Sequence, residues 1–200
     1  PDYTLELTET GKCQGKNAGK ELKEIAGNES LFFYVSPLWR TRETFENIAQ
    51  SFSSFQYQYR EEPRLREQEW GHLRSVEESA KINQEGDEYG TFYYRIPDGE
   101  SAADVYDRVS DFFGTLYRDF EKADFPENVC VVTHGMTMRL FLMRWFHWTV
   151  EKFEGLGNPH NCQLLILEKN VHNKYELTTP LKTTSSRKVK ERPIKLLPHL

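Results

Sequence analysis

The sequence predicts an α/β domain with three layers, in which helices cover both faces of a largely parallel central sheet. Short continuous apolar runs, typical of strands buried on both faces, alternate with segments of helical periodicity. Two of these runs, at residues 31–35 and 128–133, lead directly into a helix, which is the order of an α/β unit. The 200 residues, 38% hydrophobic and 28% charged, suffice for one such domain.

Start signals define the first elements of the chain. Thr8 has the side chain of a helix N-cap, and the pattern that follows it predicts a helix over residues 8–25. Pro37 suits the first turn of a helix, where its missing N–H leaves no hydrogen bond unmade. The buried strand at residues 31–35 is therefore expected to pass directly into a helix that continues to residue 52.

The longest predicted helix covers residues 101–123, where apolar side chains recur at helical spacing. After residue 179 the sequence is rich in Lys and Arg and shows no core periodicity, so we predict a domain over residues 1–178 and a basic C-terminal tail over residues 179–200. The other predicted elements are a strand at 55–60, a weak helix at 75–84, a loop at 86–90, a helix at 136–146, and strands at 162–168 and 174–178.

Composition excludes several classes of function. The net charge of −5 argues against a nucleic-acid-binding protein, because phosphate backbones select basic surfaces. No apolar run approaches the ~20 residues that a membrane-spanning helix needs. The three cysteines, Cys13, Cys130 and Cys162, are an odd, scattered set without the spacing of a metal site, which predicts reduced thiols and a cytoplasmic location.

Two strand ends carry residues suited to bind an anion. Arg40 lies where the first buried strand meets a helix, and its planar guanidinium can hold phosphate oxygens at two points. His134 ends the second buried strand, and Gly135 after it allows a ligand or backbone to approach closely. Because parallel strands present their carboxyl ends at one edge, we expect both side chains to face a common pocket. By context alone, Arg40 is equally well a surface residue and His134 a buried structural one.

A third segment, Leu65 to Gly71, carries two acids in an irregular stretch beside aromatic and glycine residues. Either Glu67 or Glu69 can act as a general acid toward a leaving-group oxygen. Acids in loops are mostly solvated, so the segment alone does not select between a catalytic and a surface role.

Taken together and in this order, the segments resemble the histidine phosphatase superfamily, whose fold is phosphoglycerate-mutase-like, over residues 5 to about 170. The resemblance implies that Arg40, His134 and Gly135 bind the phosphoryl group and that Glu67 protonates the leaving alcohol. It also implies a small phosphorylated substrate and neither a metal nor a cofactor. The matching segments are Leu7-Thr8-Glu9-x-Gly11, Ser36-Pro37-Leu38-x-Arg40-Thr41-x-x-Thr44, Leu65-x-Glu67-x-x-Trp70-Gly71, Pro97-x-Gly99-Glu100-Ser101 and Thr133-His134-Gly135.

The chain departs from that family in one respect. The family's nucleophile is a histidine in an Arg-His-Gly motif after its first, central strand, and no Arg-His-Gly occurs in this sequence. We therefore expect an upstream segment to supply both, since without that strand its neighbours would have exposed apolar edges. The leading hypothesis is a phosphatase that hydrolyses a phosphomonoester through a phosphohistidine. A phosphoglycerate-mutase-type transfer and a non-catalytic interaction protein on the same fold stay open, as do the substrate and the oligomeric state.

Overall fold

A computed structural model describes residues 2–72 and 75–184 of the chain. Six α-helices and five β-strands lie within these residues, joined by loops and two short 3-10 turns. The elements are α1 (Glu9–Ala26), β1 (Leu31–Val35), α2 (Trp39–Ala49), β2 (Tyr57–Glu61), α3 (Val76–Tyr89), α4 (Ala102–Phe120), β3 (Asn128–Val132), α5 (Gly135–Phe146), α6 (Val150–Glu154), β4 (Leu167–Lys169) and β5 (Tyr175–Leu177).

The central sheet has the strand order β2-β1-β3, and both pairs are parallel. Val35, the last residue of β1, lies opposite Glu61 of β2 and Val132 of β3. The carboxyl ends of all three strands therefore meet at one edge of the sheet. The strands β4 and β5 form a separate antiparallel pair.

Alternate residues of the strands divide the core into two layers. On one face, Phe33 and Val132 pack against buried residues of α1 and α2. On the other face, Tyr34 packs against α4 and α5, whose buried positions repeat at helical spacing. The predicted three-layer α/β/α architecture with a parallel sheet is thus confirmed.

The first two helices approach each other closely at Gly19. A Cβ at this position would lie 2.6 Å from the carbonyl oxygen of Ile48 in α2, much nearer than a carbon and an oxygen can pack. Only a glycine allows this helix spacing. Thr8 begins α1 as predicted, and its side chain accepts the backbone N–H of Gly11 at 3.1 Å.

Two predicted elements are wrong in extent. The loop expected at residues 86–90 is largely helix, because α3 runs to Tyr89 and ends only at Gly90. Gly86 stays helical, and a Cβ at this position would lie 3.4 Å from the ring of Tyr94, a neighbour that a local turn rule cannot anticipate. The strand expected at residues 162–168 is regular only over Leu167–Lys169.

The outer edge of β3 carries no hydrogen-bonded strand among the described residues. Cys162 and Leu164, within the predicted strand at residues 162–168, pack partly buried against the same cluster as Cys130 of β3 without strand pairing. Part of the predicted tail, residues 179–184, is placed on the domain by a bridge between Leu156 and Thr183. The rest of the tail, residues 185–200, lies outside the described residues. No described helix is both long and apolar enough to cross a membrane.

Candidate active site

His134 forms the junction between β3 and α5, where it is the N-cap residue, and its side chain is buried. Its Nε2 lies 2.7 Å from the hydroxyl of Ser36, which is fully buried at the end of β1. The backbone N–H of Ser36 donates to the carbonyl of Val132 at 2.9 Å, so the ends of β1 and β3 are joined by a hydrogen bond at the residue that contacts the imidazole. Burial, reinforced by the positive charges of Arg40 and Arg108, lowers the pKa of His134 to about 3. The ring is therefore neutral at ordinary pH.

Arg40 lies in the first turn of α2, which begins where β1 ends. No side chain caps the amino end of α2, so its backbone N–H groups face the same edge of the sheet as His134. The guanidinium is mostly buried and forms an ion pair with the exposed carboxylate of Asp2 at 3.2 Å. Its positive charge and the helix dipole together make this edge attractive to an anion.

Glu67 lies against the amino end of α5, next to His134 along the helix start. One carboxylate oxygen accepts the backbone N–H of Thr137 at 3.3 Å and the Thr137 hydroxyl at 3.2 Å. The other oxygen accepts the N–H of Met136 at 3.4 Å. These contacts fix the carboxyl group at the helix that His134 begins. The second acid of the loop, Glu69, is exposed.

The structure thus brings three of the sequence-predicted residues, Arg40, His134 and Glu67, to one end of the sheet. The space over Gly135 is occupied by the side chain of Asn158, which lies 3.0 Å from where a Cβ would be. The Arg40 guanidinium, the uncapped start of α2 and a neutral imidazole, with the carboxyl group of Glu67 at the start of α5, suit a phosphoryl group whose leaving oxygen requires a proton. No group of three metal-binding side chains occurs within residues 2–72 and 75–184.

Sequence reasoning missed the roles of Ser36 and Thr137. Ser36 entered the sequence analysis only as the first residue of the segment that carries Arg40, and Thr137 lay in the first turn of the helix predicted at 136–146. Both act through partners distant in the chain, since Ser36 and His134 are 98 residues apart and Thr137 and Glu67 are 70 apart. Hydroxyl residues beside each strand end were the only signal in the sequence.

Comparison with known proteins places these residues in a family context. Residues 2–178 match the family model described as "Histidine phosphatase superfamily (branch 1)". The chain is 41% identical over 190 residues to "Phosphoglycerate mutase-like protein AT74" of Arabidopsis thaliana, covering 88% of this chain and 60% of that protein. It is 43% identical over 166 residues to "Broad-range acid phosphatase DET1" of Saccharomyces cerevisiae, covering 78% of this chain and 50% of that protein. The chain thus spans 50–60% of the length of these two relatives.

Solved structures share the fold. A mycobacterial glucosyl-3-phosphoglycerate phosphatase, solved in complex with VO3, superposes with a TM-score of 0.70 at 21% sequence identity. The likeness covers 88% of this chain and 86% of that one.

Proposed function

Since the chain belongs to the histidine phosphatase superfamily, branch 1, we propose that it is a phosphatase that hydrolyses a small phosphomonoester through a phosphohistidine intermediate. The observation that carries the proposal is the convergence of Arg40, His134 and Glu67 at the carboxyl ends of β1 and β3. The family relationship supports the class of reaction, and the geometry supports a role for each side chain.

Arg40 and His134 bind the phosphoryl group in this proposal. Arg40 supplies a permanent positive charge with a flat, forked set of donors that match phosphate oxygens. His134 is neutral, so it acts through a ring N–H rather than through charge, and the Ser36 hydroxyl holds the ring through its Nε2. The uncapped amino end of α2 adds backbone donors. Phosphoryl transfer is accelerated chiefly by such positioned charge and donors.

Glu67 is proposed to act first as a general acid and then as a general base. In the first step, the P–O bond to the leaving alcohol breaks while a P–N bond to the nucleophilic histidine forms, and Glu67 gives its proton to the departing oxygen. In the second step, water attacks phosphorus, the P–N bond breaks, and Glu67 takes the proton from that water. The products are the alcohol and inorganic phosphate.

The nucleophile is proposed to come from a segment upstream of the printed residues. The proposal is supported by the absence of an Arg-His-Gly motif from the 200 residues and by the outer edge of β3, which pairs with no described strand. A parallel strand at this edge would end beside His134, in reach of the same phosphoryl group. The three unpaired cysteines support a reducing, cytoplasmic compartment.

A leaving-group series on the protein expressed from its complete reading frame tests the assignment of Glu67. Glu67→Gln keeps the size of the side chain but removes its proton, so turnover of alkyl phosphates should fall by about 100-fold or more. Nitrophenyl phosphates, whose leaving groups depart without a proton, should be affected far less. Glu69→Gln is the matched control, since its side chain is exposed and lies two residues away.

Equal slowing of both substrates by Glu67→Gln would contradict the role of Glu67, and a leaving-group effect in Glu69→Gln would reassign the proton donor to Glu69.

Analysis of the products separates hydrolysis from transfer. Stoichiometric release of inorganic phosphate is expected, whereas transfer of the group to an added sugar-acid acceptor would support the mutase alternative.

A further inference from the structure

We propose that Arg108 and Glu100 form a positioning pair that holds the Glu67 loop, residues 65–71, in its place beside the start of α5, where His134 lies. This inference rests on the proposed function, because it concerns the residue proposed as proton donor. Arg108 lies in α4 and Glu100 in the turn ahead of it, so neither belongs to a strand end or is expected to touch the substrate. Both side chains are nearly buried, at 12% and 14% exposure.

The guanidinium of Arg108 binds the backbone of the loop at three points. One terminal nitrogen donates to the carbonyl oxygens of Arg64 at 2.6 Å and Arg66 at 2.8 Å. The other donates to the carbonyl oxygen of Glu67 at 3.1 Å. The backbone that carries the Glu67 side chain is thus fixed on both sides of its Cα by a single arginine.

Glu100 binds both Arg108 and the backbone of the loop. Its two carboxylate oxygens each accept a hydrogen bond from Arg108 at 3.1 Å, and one of them also accepts the backbone N–H of Glu69 at 3.0 Å. The backbone of Glu100 pairs with the loop as well, donating to the carbonyl of Glu69 at 2.9 Å and accepting from the Gln68 side chain at 2.8 Å. The loop is therefore held before, at and after Glu67.

Every N–H of the guanidinium is used, because its five donors meet five acceptors. A lysine has only three donors on one nitrogen and cannot span the loop carbonyls and Glu100 together. Burial lowers the pKa of Arg108, whereas hydrogen bonds from Arg108 lower the pKa of Glu100 in spite of its burial. A buried ion pair is weak evidence for stability as such, which leaves loop geometry as the feature this pair provides.

The position of Glu67 matters because proton transfer requires hydrogen-bond reach to the leaving oxygen. A misplacement of about 1 Å costs on the order of 100-fold in rate when reacting groups must be aligned. The pair also affects the other side of the site, since the charge of Arg108 contributes to the low pKa of His134. Loss of the pair should consequently resemble a partial loss of Glu67 itself.

Arg108→Lys in the complete protein, assayed with alkyl and nitrophenyl phosphates, tests the inference. We expect a fall in kcat of roughly 10- to 100-fold for the alkyl phosphate and less than about 3-fold for the nitrophenyl phosphate. In the double variant Arg108→Lys/Glu67→Gln, the arginine change should add almost no further loss. The control is Arg60→Lys, which weakens an arginine–carboxylate pair at the opposite end of α4, with Asp119.

Equal losses for the two substrates, or a fully additive double variant, would show that Arg108 only stabilises the fold. If Arg108→Lys does not fold, Glu100→Gln keeps the shape of the pair and should give the same substrate pattern at smaller amplitude; no such pattern would overturn the inference. Failure of the proposed function is distinguishable, because Glu67→Gln alone would then show no leaving-group effect. A leaving-group effect in Glu67→Gln but not in the pair variants would refute the positioning role alone.

Discussion

Gly99 lies in the turn ahead of α4, and it provides a test of how closely this turn must pack against the Glu67 loop. A Cβ built on Gly99 lies 2.3 Å from the carbonyl oxygen of Glu69 and 3.2 Å from the backbone nitrogen of Gly71. Both neighbours are backbone atoms, which cannot rotate away as a flexible side chain can. Gly99→Ala must therefore push the loop away from the turn by about 1 Å to reach ordinary van der Waals separation.

The displacement predicts that Gly99→Ala lowers turnover strongly in a protein that still folds. A shift of about 1 Å at the Glu67 loop should lower kcat for an alkyl phosphate by about 100-fold, and it should weaken the backbone pairing between Glu69 and Glu100. Because overpacking strain in a tight site is typically about 1–3 kcal/mol, the protein should still fold. The assay is turnover with alkyl and nitrophenyl phosphates beside thermal unfolding of the same preparation.

Gly114→Ala is the matched control. Its Cβ would meet only the flexible end of Arg118 at 3.6 Å, and the residue is exposed within α4. Replacement of glycine by alanine in a helix should stabilise the protein by about 0.5–1 kcal/mol and leave turnover unchanged. Full activity in Gly99→Ala, or activity lost only in proportion to unfolding, would refute the argument that loop position controls the reaction.

Three further predictions concern the site and the core. Ser36→Ala removes the buried hydroxyl beside His134 and should lower the free energy of unfolding by about 1–3 kcal/mol, measured in urea. The Asp119 carboxylate accepts hydrogen bonds from Lys122, Tyr34 and Arg60, and these bonds lower its pKa to about 2 despite burial. Because the pKa of Asp119 is lower in the folded than in the unfolded protein, its ionised carboxylate stabilises the fold above about pH 4, and this contribution is lost as the pH falls toward 2. Asp119→Asn should therefore lower the free energy of unfolding by about 2 kcal/mol at pH 7 and by much less at pH 2. Turnover should survive exhaustive chelation with EDTA, and loss restored by a divalent ion would contradict the proposed chemistry.

The sequence predicted those elements whose signals are local. Strand β1 and helix α4 followed from a continuous apolar run and from helical spacing, and the N-caps at Thr8 and Ser101 mark helix starts in the sequence itself. The strand predicted at residues 162–168 was wrong in extent because a strand needs a neighbouring strand edge to pair with, and periodicity in the sequence does not show whether that edge is present. The predicted end of α3 was too early because Tyr94, which lies beyond the helix, packs next to Gly86, where a Cβ would lie 3.4 Å from its ring.

The candidate site divides in the same way. Arg40 and His134 were predicted because each lies where a buried strand meets a helix, a position that can be read along the chain. Arg108 could not be found, since an arginine within an amphipathic helix is most often a surface residue. Its role depends on carbonyl groups 41–44 residues away, and only the fold brings them together.

The proposed phosphohistidine intermediate is tested most directly by rapid-quench labelling of the complete protein with a radiolabelled phosphomonoester, followed by peptide mapping of the labelled site. We predict phosphate that is labile to acid and stable to base, on a histidine of an Arg-His-Gly segment outside the printed residues, with none on His134. Phosphate on His134 would show that the nucleophile lies within this chain. Turnover with no acid-labile phosphate at any quench time would contradict the covalent mechanism.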